Sequence, residues 1–206
     1  MNDDPRRHAP AAGRNRGPIL KILRQYLPQA GKILEIASGT GEHISYFAAA
    51  IPVLNWQPTD IDTEALASIA AYCEDAALAN LSPPRRLDVR SSNWPVGPIA
   101  GVLCINMIHI APWSCCVGLV RGAAEVLEGC DPLILYGPFK RNGIHTAPTN
   151  AIFDRRLQKN NLKWGLRDIE AVEAEARNVG LDESTVIDMP SNNYCLILRR
   201  GITNLE

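Results

Sequence analysis

The chain has no surplus of charge of either sign. Of its 206 residues 21 are basic and 22 acidic, a formal net charge of −1, which argues against a protein that coats nucleic acid or anionic membrane by bulk electrostatics. No apolar run approaches the roughly 20 residues that span a bilayer, and the opening MNDDPRRHAP lacks the apolar segment of a secretory signal. No C-x-x-C pair occurs, and no histidine stands at zinc-ligand spacing from a cysteine, so no metal site is expected. The six cysteines (73, 104, 115, 116, 130 and 195) read as free thiols: Cys104 and Cys195 lie in apolar runs, and adjacent Cys115 and Cys116 make a poor ordinary disulfide. Internal repeats and low-complexity tracts are also missing. Hydrophobic residues, at 46%, are plentiful enough for the core of one full-sized domain. The expectation is a cytoplasmic α/β protein.

Residues 1–13 are polar, with two prolines and no periodicity, and read as a flexible N-terminal arm ahead of a domain over 14–200. From Pro18 an apolar stripe (Ile19, Leu20, Ile22, Leu23, Tyr26, Leu27) predicts a helix stopped by Pro28. Short β-like runs then alternate with helical patterns: KILEIA (32–37), a helix over 41–50, VLNWQPT (53–59), a helix capped by Asp62, PRRLDV (84–89) and GVLCINMI (101–108). A helix over 112–128 ending at Gly129, PLILYG (132–137) and a helix over 167–179 ending at Gly180 follow. Two tail runs around a Ser191–Asn193 turn are joined too tightly for a crossover and should pair antiparallel. This alternation predicts a doubly wound, mostly parallel seven-stranded sheet with an antiparallel last strand. Residues 138–165 break the pattern, because connections usually take about 2–6 residues; this stretch reads as a lid-like insert.

The informative segment is LEIASGTGEH (34–43), a strand running into glycines and then a helix. Glycines there let the backbone approach a ligand beyond the carboxyl end of a strand. The dinucleotide fingerprint fails, since Ile44 stands where its third glycine belongs, and the phosphate-cradling G-x-x-x-x-G-K-[ST] is absent. Acids keep the loop company: Glu35 on the strand, Asp60 ending the second strand, Asp88 ending the third. A carboxylate at the second strand's end can accept from ribose hydroxyls, and one after the third from an adenine amino group. Carboxylates near the loop suit an ammonium or sulfonium group, which points to S-adenosylmethionine, with S-adenosylhomocysteine as product. The plainer alternative is a glycine turn beside three unconnected surface acids.

This constellation resembles class I S-adenosylmethionine-dependent methyltransferases. More narrowly, the chain is similar to the methyltransferase-like 26 family through RNRGPIL (14–20), LEIASGTGEH (34–43), WQPTDID (56–62), RLDV (86–89), NMIHIAPW (106–113), YGPFKRNGIHTAPTNAIFD (136–154), WGLRD (164–168) and SNNYCLILR (191–199). SSNWP (91–95) and SCCVGLV (114–120) match no family pattern. The resemblance implies Glu35, Ala37, Ser38, Gly39 and Gly41 around the methionine moiety, Asp60 and Ile61 at the ribose, Asp88 and Val89 at the adenine, and Asn106 and Met107 beneath the sulfonium. It also implies Arg14 or Asn15 at the cofactor carboxylate, unless that pair is simply a solvated basic arm.

An acceptor site has three candidate sources. His109, after the fourth strand, is either a general base or an imidazole that orients its own loop. Trp113, directly after Pro112, is an aromatic wall or a core residue. The insert carries six basic residues (Lys140, Arg141, Arg155, Arg156, Lys159, Lys163) against Asp154 alone, a net +5 that leaves −6 elsewhere. A short helix capped by Thr149, with Ile152, Phe153 and Leu157 on one face, would make it a lid whose polar candidates are Tyr136, Lys140, His145, Asn150 and Asp154; a solvated face is the bland alternative. The reading is a methyltransferase for a small, anionic or carboxylate-bearing acceptor, with no membrane or nucleic-acid partner. A cofactor-binding protein without turnover and an RNA or protein methyltransferase are the alternatives, the latter weakened because NMIH lacks the [DNS]-P-P-[YFW] signature.

Overall fold

Leu, Ile and Val recur in short unbroken runs, and in the computed structural model, which describes residues 4–201, these runs form the interior of one sheet. In chain order the strands are β1 (Lys32–Ile36), β2 (Asn55–Asp60), β3 (Arg85–Arg86), β4 (Gly101–Ile105), β5 (Leu133–Gly137), β6 (Lys140–Arg141), β7 (Ile144–His145), β8 (Glu183–Met189) and β9 (Asn193–Arg199). Seven of them form a sheet of order β3-β2-β1-β4-β5-β9-β8. The first five run parallel, and β9 is antiparallel to both of its neighbours. Ser191 and Asn192 adopt left-handed backbone (φ 62° and 58°) in the tight β8–β9 turn, which leaves no room for a crossover helix. The α/β class and the antiparallel last strand are as the alternation predicts.

Alternate side chains of each strand face opposite layers. Leu34, Ile36, Val102, Cys104, Leu133 and Leu135 pack with α4 (Trp113–Val126) and α6 (Ile169–Asn178). Ile33, Leu103, Ile134 and Tyr136 pack with α1 (Pro10–Tyr26) and α2 (Glu42–Ala50). The predicted Asp62 cap of α3 (Thr63–Ala76) is present, its carboxylate accepting from Ala65 N–H at 2.9 Å. All six cysteines are free, and among the described residues no helix is long and apolar enough to cross a membrane.

Two expectations need correction. The first helix begins at Pro10, eight residues before Pro18, which sits in its interior. Proline at the first helical position loses no internal hydrogen bond. The residues before it are docked: Arg7 N–H donates to Ser68 Oγ at 2.8 Å, Ala9 N–H to Glu42 Oε2 at 2.8 Å, and the His8 ring lies 2.6 Å from Glu42. Residues 7–13 therefore belong to the folded body instead of a flexible arm, while residues 1–3 lie outside the described residues.

The second correction concerns the insert. Asn142 and Gly143 (φ 49° and 75°) turn a β6–β7 hairpin, the geometry that Asn-Gly favours. The helix that follows, α5 (Pro148–Asn160), is flanked by Ala147 rather than capped by Thr149. It buries Asn150, Asp154 and Leu157, while Ile152 and Phe153 are 48% and 40% exposed. Its inward face is polar because Asp154 accepts from Lys140 Nζ (2.9 Å), from Leu166 N–H (2.8 Å) and lies 2.8 Å from His145 Nε2. Satisfying a buried carboxylate outweighs burying Ile152 and Phe153.

Candidate functional site

Where β1 ends, Ala37, Gly39 and Gly41 all take left-handed backbone (φ 55°, 60° and 95°), coiling the chain over the strand before α2 starts. The loop is tied to the end of β2. Ser38 N–H donates to Thr59 O at 2.8 Å and Gly39 N–H to Asp60 Oδ2 at 3.0 Å. Asp62 N–H takes Asp60 Oδ1 at 3.0 Å. Each carboxylate oxygen has two acceptor positions, so one remains on each for a vicinal diol.

Sheet order reverses between β1 and β4, and the crevice there opens into a cleft of about 430 Å³ at the strands' carboxyl ends. Of the thirteen residues expected around the cofactor, Ala37, Gly39, Asp60, Ile61, Asp88, Val89 and Met107 line it. Sequence reasoning missed Ile36, Leu87, Arg90, Ile105, Ile110, Ala111, Pro112, Cys115 and Trp164, which complete its largely apolar wall. Trp164 opens the WGLRD stretch, a signal that was present; Cys115 lies where no motif was legible. Arg90 pairs with Asp88 through its backbone N–H (3.0 Å), Nε (2.9 Å) and Nη2 (2.6 Å), and these bonds hold the Asp88 carboxyl below its usual pKa.

The other expected cofactor residues do not line the cleft. Glu35 is buried beneath the loop with Oε2 unpartnered, and burial, less the opposing bond from Ser38, pushes its carboxyl up to about 7. Ser38 is buried, its hydroxyl 3.5 Å from Glu35 O. Gly41 packs against α3, where a Cβ would fall 3.0 Å from Ile69 Cα and 3.2 Å from Tyr72 Cβ. Asn106 (φ 62°) turns the chain over the end of β4, its N–H donating to Tyr136 O at 2.8 Å. Arg14 and Asn15 face a separate small cavity together with Tyr136.

His109 is the main correction on the acceptor side. Its ring is 1% exposed, stands edge-on to Phe139 at 4.8 Å, and accepts the Arg167 N–H at Nδ1 (3.2 Å). Burial, reinforced by nearby Arg167, holds its pKa down at about 3. Nε2 is buried without a partner, and a Cβ at Gly137 would collide with it, so the imidazole is enclosed in the fold and does not face the cleft. Trp113 likewise lies outside the cleft, with the Arg167 guanidinium 5.7 Å from its ring centre; its neighbour Pro112 supplies the wall. Lys140, His145 and Asp154 form one network. Burial works against ionising Asp154, but its bonds to Lys140 and His145 outweigh that and hold its pKa below the usual value. Asn150 bonds Thr146 and the Asn192 carbonyl, fixing α5 to the β8–β9 turn.

A family model described as a protein of unknown function (DUF938) matches residues 6–200. The chain belongs to this family. Its fold is shared with solved methyltransferases. An O-methyltransferase family protein from Burkholderia thailandensis superposes with a TM-score of 0.79 at 16% identity, over 93% of this chain and 57% of that one. A putative O-methyltransferase from Nostoc punctiforme gives 0.78 at 15% identity, over 91% and 56%. Human N-acetylserotonin methyltransferase, solved in complex with S-adenosylmethionine, gives 0.75 at 10% identity, over 91% and 52%. The DUF938 chain spans a little over half the length of these proteins, and at such identity the likeness is one of fold.

Proposed function

We propose that the chain is an S-adenosylmethionine-dependent methyltransferase acting on a small molecule. The observation that carries this reading is the cleft at the β1–β4 crevice, where Asp60 presents two free acceptor positions beside a left-handed glycine loop. The residues fit the cofactor. A Cβ built on Gly39 meets nothing closer than Ala37 O at 3.9 Å, so space for a ligand is open above it. A phosphate cofactor fits poorly, because Glu42 already occupies the positive end of α2. Apolar Leu87, Val89, Pro112 and Cys115 suit a purine, with Asp88 beside them. The likeness to the methyltransferase-like 26 family points the same way, as do solved neighbours with S-adenosylmethionine or S-adenosylhomocysteine bound.

When bound, the cofactor supplies an activated methyl on a sulfonium with a built-in leaving group. The protein's work is to bind, align and exclude water. Asp60 would hold the ribose diol, and Gly39 would leave room for the amino-acid chain of the cofactor. Ile61, Ile110 and Trp164 close the apolar sides, and Met107 and Ile105 form the wall toward β5. His109 is buried and neutral, so it does not serve the cleft as a base; the proton-accepting groups in the lining are the carboxylates of Asp60 and Asp88. Six free thiols fit a cytoplasmic setting. The test is transfer of labelled methyl from S-adenosylmethionine into separated small-molecule, RNA and protein fractions. Label in the small-molecule fraction is expected; label only in RNA or protein overturns the acceptor class, and cofactor binding with no transfer to any fraction favours the non-catalytic alternative.

A further inference from the structure

A second cavity, of about 110 Å³, lies one strand away from the cofactor cleft. Arg14 and Asn15 of α1, Tyr136 of β5, and Ser191 and Asn193 of the β8–β9 turn supply its polar lining. Register makes the two cavities neighbours. Tyr136 stands opposite Ile105, which lines the cofactor cleft, and paired strands lie about 4.8 Å apart. A molecule gripped in the smaller cavity therefore has its other end at the wall of the larger one.

The lining is rich in donors and contains no acid. Arg14 is exposed and, among the described residues, has neither a carboxylate nor a hydrogen-bond partner. Asn15 is oriented: its Oδ1 lies 2.7 Å from His43 Nε2. An amide oxygen only accepts, so the ring nitrogen donates and the Asn15 NH₂ turns toward the Tyr136 hydroxyl, with its second hydrogen left for a ligand. His43 is itself stacked on Phe47 at 5.7 Å, which fixes the pair. Tyr136 is buried and lines the cavity, its hydroxyl meeting the Asn15 side chain. Asn193 Nδ2 is used on the Pro190 and Ser191 carbonyls (3.1 and 3.3 Å), holding the turn that closes the far side.

We propose that this cavity is an oxyanion subsite that anchors a carboxylate of the methyl acceptor, held by Arg14, Asn15 and Tyr136; the assignment rests on the methyltransferase reading above. A guanidinium, an amide and a phenol converging on a small space match the planar, multiply accepting carboxylate. The same chemistry exists on the cofactor's amino-acid tail. The acceptor is the better match, because Gly39, Asp60, Asp88 and Met107 all line the other cavity while Arg14 and Asn15 do not.

The experiment is a ¹H–¹⁵N NMR titration of the full chain, with and without saturating S-adenosylhomocysteine. The probes are benzoate and its neutral isostere benzamide. Benzoate is expected to shift amides of residues 14–15, 136 and 191–193 saturably in both states, with benzamide producing no saturable shift. Arg14→Gln should weaken benzoate roughly tenfold, as loss of a charge-assisted contact does, and Tyr136→Phe severalfold. Equal binding of benzoate and benzamide, or benzoate affinity unchanged in Arg14→Gln, overturns the subsite. Displacement of benzoate by S-adenosylhomocysteine gives the cavity to the cofactor's tail and overturns the acceptor assignment. Failure of S-adenosylhomocysteine to bind sinks the methyltransferase reading instead, while the cofactor-free titration still decides whether an oxyanion is bound.

Discussion

Gly39 and Gly41 are alike in sequence and both left-handed, yet alanine at each should fail differently. At Gly41 (φ 95°) a methyl meets Ile69 Cα at 3.0 Å and Tyr72 Cβ at 3.2 Å. Left-handed backbone costs a non-glycine residue about 1–2 kcal/mol, and overpacking adds about 1–3 kcal/mol. Gly41→Ala should thus lose about 3 kcal/mol, lowering Tm by about 6–12 °C in a chain of this size. At Gly39 (φ 60°) the nearest atom is Ala37 O at 3.9 Å, so only the backbone penalty applies, about 1–2 kcal/mol and a Tm drop of about 2–8 °C. The methyl then projects into the space where the cofactor must approach, and S-adenosylhomocysteine affinity should fall by roughly tenfold or more. Differential scanning calorimetry paired with titration calorimetry reads both. Gly39→Ala with unchanged affinity, or Gly41→Ala with unchanged Tm, would contradict a division in which one glycine serves the ligand and the other the packing of α2 on α3.

Glu35→Gln should stabilise the chain selectively at high pH. Its folded pKa, about 7, lies above the ordinary 4.5, so ionisation penalises the folded state as pH rises from 4.5 to 7; the variant's Tm advantage should be larger at pH 8 than at pH 4, and an advantage independent of pH would contradict this. His109 has the opposite sign. Folded at about 3 against an ordinary 6.5, it weakens the fold as pH falls from 6.5 toward 3, by up to about 1.4 kcal/mol per unit. His109→Gln should flatten the acid limb of the Tm profile, and an unchanged slope would count against a buried neutral ring. Arg167 donates to the carbonyls of Ile108 (2.9 Å), Ala111 (2.6 Å) and Lys163 (2.9 Å). Arg167→Ala should lose about 2–3 kcal/mol and weaken S-adenosylhomocysteine through the displaced Ile110–Pro112 wall; a variant with wild-type Tm would show the clamp to be idle.

The sheet was legible because Leu, Ile and Val mark each interior strand, and the loop because Gly39 precedes Asp60 by the length of a βαβ step. What escaped was set by tertiary contact. Pro18 looks like a helix start, yet the docking of Arg7 and Ala9 onto Ser68 and Glu42 carries the helix back to Pro10. That earlier start puts Arg14 and Asn15 on a helix facing Tyr136, in a cavity separate from the cleft where the resemblance places them at the cofactor carboxylate. His109 has a plausible sequence position for a base, but Phe139 and Gly137 enclose it, and no local pattern reports that. Ile152, Phe153 and Leu157 read as the buried stripe of α5; the contacts of Asp154 with Lys140 and His145 on the β6–β7 hairpin turn the helix so that only Leu157 of the three is buried, a pairing invisible to helical periodicity.

Methyltransferase activity requires that the cleft beside Asp60 take S-adenosylmethionine. Titration calorimetry of the wild-type chain and Asp60→Ala with S-adenosylhomocysteine decides it. Asp60 offers two free acceptor positions, and charge-assisted hydrogen bonds contribute about 1.5–3 kcal/mol each. One-to-one binding by the wild type, weakened about a hundredfold or more in Asp60→Ala, is the predicted result. No heat from either S-adenosylhomocysteine or S-adenosylmethionine with the wild type, or equal affinity in the variant, would contradict it.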